Sequence, residues 1–208
     1  MTFSDFIHTH SYCPSGMSLL EIPHDLPVPT DDGQCAHLKV GMPFPIDTLR
    51  NLPTTSQHAL DITSQPRTVL YFYPRTGAPE QKLPDGWNEI AGARGCTPEA
   101  CAFRDHFHEL QSLGANVYGC STQTWDYQQE AAERLHVPFD LLSDSKLELL
   151  HALNLPYFQL PELDNVPLIK RLTIIIRDSK IEHVFYPIFP PDKHAHEVIQ
   201  WLKAHPIA

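Results

Sequence analysis

No stretch of the chain approaches the ~20 consecutive apolar residues that a helix needs to cross a bilayer. Residues Met1 to Ser11 also lack the basic-then-apolar order of a secretory leader. Basic residues are scarce: 15 Lys and Arg face 25 Asp and Glu, for a net charge of −10. That balance argues against nucleic acid or an anionic membrane as the main partner. Cysteine is sparse and odd in number, five in 208 residues, which is not the pattern of a secreted disulfide framework. A reducing, cytoplasmic location is the expectation, and there a cysteine pair is more often redox-active than structural. No internal repeat, no glycine-rich phosphate loop after a strand and no Ser/His/Asp constellation can be read.

What is present is a chain of a length for one sizeable core. Residues 1–39 read as an irregular extension, broken by Pro14, Pro23, Pro27 and Pro29 and by Asp31-Asp32-Gly33. Residues 40–208 read as one domain. Thr68-Val69-Leu70-Tyr71-Phe72-Tyr73, ended by Pro74, has the unbroken β-branched and aromatic character of a strand buried on both faces. A Pro- and Gly-rich loop from Arg75 to Gly95 follows, long enough to suggest a function of its own. A helix from Thr97 presents Ala100, Phe103, Phe107, Leu110 and Leu113 on one face and closes at Gly114.

Strand Asn116–Cys120 comes next, then a helix capped by Thr124 and running to about Leu135. Val137 to Leu142 is extended, and Asp144 opens a helix near His151. A hairpin turns around Arg177-Asp178-Ser179-Lys180. The last helix starts near Asp192 and turns Ala195, Val198, Ile199 and Leu202 inward. Strands alternating with helices, with a late hairpin, predict an α/β sandwich with a mixed central sheet.

Gly95-Cys96-Thr97-Pro98-Glu99-Ala100-Cys101 is the segment with chemistry in it. Thr97 reads as an N-cap, Pro98 as the first helical residue and Glu99 as a first-turn carboxylate that favours the macrodipole. Cys96 then sits before a helix N-terminus, where backbone N–H groups favour the thiolate. Residues five apart on an ideal helix have Cα atoms about 8–9 Å apart and point roughly 140° from one another. A disulfide requires Cα atoms within about 7 Å, so bonding Cys96 to Cys101 requires the first turn to unwind. Cys101 shares a face with Arg104, Asp105 and His108, opposite the apolar stripe.

These segments resemble a peroxiredoxin of the peroxiredoxin Q, or bacterioferritin-comigratory, branch of the alkyl hydroperoxide reductase and thiol-specific antioxidant superfamily. The likeness is carried by Val69 to Pro74, by Gly95 to Cys101 with Phe103-Arg104-Asp105, by Val137 to Asp144, and by Arg171-Leu172-Thr173-Ile174-Ile175-Ile176. It runs from about residue 40 to the C-terminus and implies a thioredoxin-like fold and a thiol-dependent peroxidase. Carried over, Cys96 is the peroxidatic cysteine, Cys101 the resolving one, and Arg171 the cation that stabilises the thiolate and the leaving oxygen. The substrate is hydrogen peroxide or an organic hydroperoxide. No bound cofactor is implied; an external thioredoxin- or glutaredoxin-like thiol protein supplies the electrons. A monomer or weak homodimer is expected.

One departure stands out. The family's motif carries a Thr or Ser three positions before the cysteine, and here that position is Ala93. Pro74, the counterpart of the motif's proline, lies 22 positions before Cys96, so a segment has been inserted. Thr76, just after Pro74, is the candidate replacement for the hydroxyl, while Pro79, Pro84, Gly86 and Trp87 of the insert could instead shape a wall or lid. Other readings are a general thiol–disulfide oxidoreductase, or a redox-sensing protein on the same fold without catalysis. A zinc site from Cys96, Cys101, His106 and His108 fits poorly with zinc-ligand spacing. Cys120 reads as a small buried hydrophobe, and Cys13 or Cys35 as a less favoured resolving cysteine.

Overall fold

The computed structural model describes residues 22–78 and 81–207. Cys13 and Pro14, with the rest of residues 1–21, and Pro79 lie outside the described residues. The element order is helix α1 (Ile46–Arg50), strand β1 (Arg67–Phe72), helices α2 (Cys96–Asp105) and α3 (Phe107–Ser112), β2 (Ala115–Ser121) and α4 (Trp125–Leu135). It continues with β3 (Leu141–Ser143), α5 (Glu148–Leu153), the two-residue strands β4 (Tyr157–Phe158) and β5 (Leu168–Ile169), β6 (Leu172–Arg177), β7 (Lys180–Phe185) and α6 (His194–Ala204). The main sheet runs β3-β2-β1-β6-β7. Its β1, β2 and β3 are parallel neighbours, while β6 and β7 are antiparallel. This is the mixed sheet that the element order calls for.

Every residue of β1 is buried. Side chains alternate across a strand, and here they feed two cores. Leu70 and Phe72 join Leu149, Leu153 and Ile174 on one face. Val69, Tyr71 and Tyr73 join Phe103, Leu110 and Ile199 on the other. The β6–β7 hairpin turns through Asp178 and Ser179, both at positive φ, 51° and 59°, as a two-residue type I′ loop requires. Within the described part of the extension, Cys35 and Leu38 enter the first core, and Asp32 bonds Lys170 and Tyr186.

Five local expectations are corrected. Gly95, not Thr97, is the N-cap of α2, at φ 102°. Cys96 is thereby the first helical residue, and the first helical bond runs from the Glu99 N–H to the Gly95 carbonyl at 3.0 Å. The helix expected from Thr97 to Gly114 is two helices, because His106 leaves helical geometry at φ −101°, ψ 8°. Within Val137–Leu142 only Leu141 and Leu142 are strand residues, and α5 starts at Glu148 rather than Asp144. Asp144 still contributes: its carboxylate accepts from the Leu149 and Leu150 N–H groups at 3.0 and 2.8 Å. Finally, α6 starts at His194, preceded by a single 3₁₀ turn, Pro191–Lys193.

Register places the site. Leu172 stands opposite Phe72, so Arg171 emerges beside the end of β1, where Tyr73 and Pro74 lead into the long loop. The same loop returns through a buried Trp87 in a 3₁₀ turn, Trp87–Glu89, and delivers Cys96 to the start of α2.

Candidate active site

Cys96 is 3% exposed. A guanidinium hydrogen on Arg171 Nη2 is directed at Cys96 Sγ, 3.1 Å away, and the Ala93 carbonyl lies 3.6 Å from the same sulfur. Because α2 starts at Cys96, the amides of Cys96 and Thr97 have no acceptor within the helix. Cation, helix start and pocket therefore converge on one sulfur. Arg171 Nη2 also approaches the Gly92 and Arg94 carbonyls at 3.4 and 3.3 Å, which ties the end of the long loop to the arginine. Gly95 must be glycine for a second reason besides its φ. A Cβ there would run into Pro191 Cγ, so the turn before Cys96 is pressed against the segment that leads into α6.

Arg171 holds a second partner that sequence reasoning missed. Its Nη1 donates to Glu99 Oε2, and both side chains are buried, 1% and 0% exposed. The sequence casts Glu99 as a first-turn carboxylate favoured by the helix dipole; in the structure it lies in that first turn and pairs with a cation 72 positions away. Burial pushes the Glu99 carboxyl up to about 7 against the pull of Arg171. For Arg171, burial works against the charge, but Glu99 and Cys96 outweigh it and raise its pKa above the ordinary value. No pattern in the sequence marks that pairing, since α2 and β6 meet only through the sheet.

Thr76 is fully buried and lines the same pocket as Cys96. Its hydroxyl donates to Gln123 Oε1 at 3.2 Å, and its amide to the same oxygen at 2.9 Å. Gln123 Nε2 returns a bond to the Thr76 carbonyl at 3.3 Å. Gln123, just after β2, is the other residue that sequence reasoning missed. Pro74 is buried directly after β1, and the last ladder bond of that region runs from the Tyr73 N–H to the Cys120 carbonyl at 3.2 Å. Ala93 is fully buried and supplies only its backbone carbonyl to Cys96. Cys101 is half-buried and free, and burial, partly offset by Arg104, raises its thiol. Cys35 and Cys120 are free and buried, and burial raises both thiols, Cys35 to about 12. Among the described residues no helix is long and apolar enough to cross a membrane.

A family model described as Redoxin matches residues 39–199. Peroxiredoxin Bcp of Escherichia coli is 32% identical over 143 residues, covering 67% of this chain and 80% of that protein. A chloroplastic peroxiredoxin Q of Oryza sativa subsp. japonica is 25% identical over 170 residues, covering 82% and 69%. Among solved structures, peroxidoxin BcpB from Mycobacterium tuberculosis superimposes with a TM-score of 0.62 at 27% identity, over 81% of this chain and 98% of that one. Peroxiredoxin Q of Xanthomonas campestris does so with a TM-score of 0.60 at 22% identity, over 80% and 98%, a likeness of fold.

Proposed function

The chain belongs to the Redoxin family, in its peroxiredoxin Bcp and Q branch, and from that premise we propose that Cys96 is the nucleophile with which this thiol-dependent peroxidase attacks its substrate. The observation that carries the assignment is the Arg171 Nη2 donor 3.1 Å from Cys96 Sγ at the first residue of α2. A fixed cationic donor at that distance stabilises negative charge on sulfur, and then on the oxygen that leaves.

The Cys96 thiolate attacks the terminal oxygen of ROOH, the O–O bond breaks, and RO⁻ takes a proton and leaves as ROH. Cys96 is now sulfenic acid, two electrons more oxidised. Cys101 then attacks the Cys96 sulfur, the S–OH bond breaks, and water departs as the Cys96–Cys101 disulfide forms. Because both cysteines lie in the regular helix α2, this step needs its first turn to unwind. A dithiol protein of thioredoxin or glutaredoxin type returns the two electrons, so the cycle runs without a bound prosthetic group.

Thr76 serves as the hydroxyl that Ala93 lacks. Its proton is committed to Gln123 Oε1, which leaves the oxygen lone pairs to accept from the peroxide O–H. Gln123 fixes the direction in which they point. Pro74 sets where the loop departs. We further place the catalytic domain at residues 40–208, with 1–39 as an extension, and the working state as a cytoplasmic monomer or weak homodimer.

Intact-mass measurement after one equivalent of peroxide tests the cysteine assignments. Wild type is expected to lose two hydrogens, and Cys101→Ser to gain one oxygen on Cys96. Oxidation of Cys101→Ser at a site other than Cys96 would overturn the assignment.

A further inference from the structure

The loop inserted between Pro74 and Cys96 has a consequence for which peroxide can enter. In front of Cys96, the pocket leaves about 30 Å³ open to the centre of a water-sized sphere. By that measure one water requires ~10–15 Å³, so the part of the pocket against the sulfur suits two bonded oxygens, and its outer side opens to solvent between Gln81 and Lys82. Its walls include Thr76, Leu83, Trp87 and Cys96. A ring or a branched carbon beside the O–O bond has to pass between those walls or press against them.

The walls are tied down at several points. Trp87 is 4% exposed, and its ring packs 5.9 Å from that of Phe158 on β4. Together with Leu83, Ile90, Leu160, Leu163 and Leu168 it forms a small core of its own against the β4–β5 hairpin. At the start of the loop, Arg134 Nη2 of α4 donates to the Gly77 carbonyl at 2.8 Å. Arg75 Nη2 donates to Tyr127 Oη at 3.1 Å and to Gln81 Oε1 at 3.0 Å, and the tyrosine donates to the same Gln81 oxygen at 2.7 Å. Displacing the wall therefore breaks apolar contacts at one end and a hydrogen-bond network at the other. Each half of the loop is held to a different part of the domain, α4 and the β4–β5 hairpin.

We propose that this inserted loop makes the enzyme selective for hydrogen peroxide over bulky organic hydroperoxides, with Trp87 and Leu83 as the side chains that set the limit. The inference rests on Cys96 being the nucleophile. The reaction is the same as above with R as hydrogen: sulfur takes one oxygen, the O–O bond breaks, and hydroxide takes a proton and leaves as water.

The test is rapid-quench mass spectrometry of Cys96 sulfenic acid in a Cys101→Ser background, with hydrogen peroxide and cumene hydroperoxide as the two probes. The full chain is expected to favour hydrogen peroxide by two orders of magnitude or so in second-order rate, about what a close-fitting apolar wall achieves against a misfit group. Trp87→Ala is expected to narrow that ratio by about 10-fold or more, chiefly by accelerating the cumene reaction. Leu83→Ala, which trims a half-buried side chain, is expected to narrow it in the same direction by less, and it keeps the test alive if Trp87→Ala does not fold. Equal rates with the two peroxides in the full chain would overturn the selectivity while leaving Cys96 as the nucleophile. A ratio unchanged in a folded Leu83→Ala or Trp87→Ala would also overturn it. If neither peroxide adds oxygen to Cys96, the nucleophile assignment fails and the selectivity falls with it.

Discussion

Two arginine–glutamate pairs sit at opposite ends of the same sheet, one buried on both sides and one with its carboxylate 21% exposed, and they are built differently. Arg67, at the start of β1, donates from Nε and Nη2 to both oxygens of Glu182 at 2.6 and 2.7 Å, and from Nη1 to the His205 carbonyl at 2.8 Å. Every guanidinium nitrogen has a partner. Arg171, beside the far end of β1, contacts Glu99 through one nitrogen and shares another among Cys96 and two carbonyls. Its Nε and Glu99 Oε1 are buried with no partner among the described residues. Buried polar groups are nearly always satisfied, and those that are not tend to mark functional places. The first pair is a tie between β1, β7 and the C-terminus. The second keeps donor and acceptor capacity beside the reactive sulfur, and its carboxyl is shifted the opposite way: Glu99 is raised, whereas Glu182, despite burial, is lowered by Arg67 and Arg177.

The largest expected effect separates the pairs by stability. Arg67→Met takes away the two-pronged partner of Glu182, leaving it Arg177 Nη1 at 3.6 Å, and is expected to cost about 1–3 kcal/mol of folding free energy, while leaving the rate of Cys96 oxidation unchanged. Urea unfolding and quench kinetics on one preparation measure both; a slower reaction without loss of stability would erase the distinction. Arg171→Met is expected to do the reverse, slowing oxidation of Cys96 by about 10²–10³-fold. Loss of stability is smaller there, because Glu99 can take up a proton once its partner is gone. Stopped-flow rates for Arg171→Met and Arg171→Lys check this, and lysine is expected not to rescue, since it lacks the fork that reaches Glu99 and Cys96 together.

The third prediction concerns pH. The Glu99 carboxyl is near 7 in the folded state and 4.5 when unperturbed. Between those values the folded protein holds a proton that the unfolded chain has released, so stability falls as pH rises through that window. Glu99→Gln abolishes this dependence, which is on the order of a few kcal/mol, and unfolding curves at pH 4.5 and pH 8 would reveal it. The smallest effect carries the opposite sign. Glu182 has a lowered folded-state pKa, so its contribution is present above about 4.5 and is lost as pH falls through its folded value. In Glu182→Gln that acid-side loss should shrink; if its pH dependence matched that of Glu99→Gln, the contrast between the pairs would collapse.

The legible and illegible parts of the chain divide along the same line. β1 could be read because six buried residues in a row are β-branched, aromatic or aliphatic, apart from Arg67 at its start. α4 could be read from Thr124, which is extended at φ −62°, ψ 159° and hands over to the helix at Trp125. The β6–β7 turn was legible because Asp and Ser tolerate local turn geometry. Local chemistry dictates all of these. The break at His106 was not legible, since Asp105-His106-Phe107 carries neither Gly nor Pro and α3 simply turns to pack Leu110 under the sheet.

Within the site, the nucleophile could be read from its surroundings in the chain, and Arg171 only through a family resemblance. The Glu99–Arg171 contact and the Gln123 clasp on Thr76 could not. Their partners are 72 and 47 positions apart and meet only once the sheet has formed. The cap was misplaced for a related reason. Thr97 has the better capping side chain, but Pro191 leaves no room for anything except glycine at position 95, and the left-handed residue starts the helix instead.

That crowding at Gly95 also reaches beyond the site. Pro191 leaves no room for a Cβ on Gly95, and it opens the 3₁₀ turn, Pro191–Lys193, that leads straight into α6. The turn before Cys96 and the lead-in to the last helix are in this way packed as one unit, so unwinding the first turn of α2 has to be accommodated at Pro191 as well.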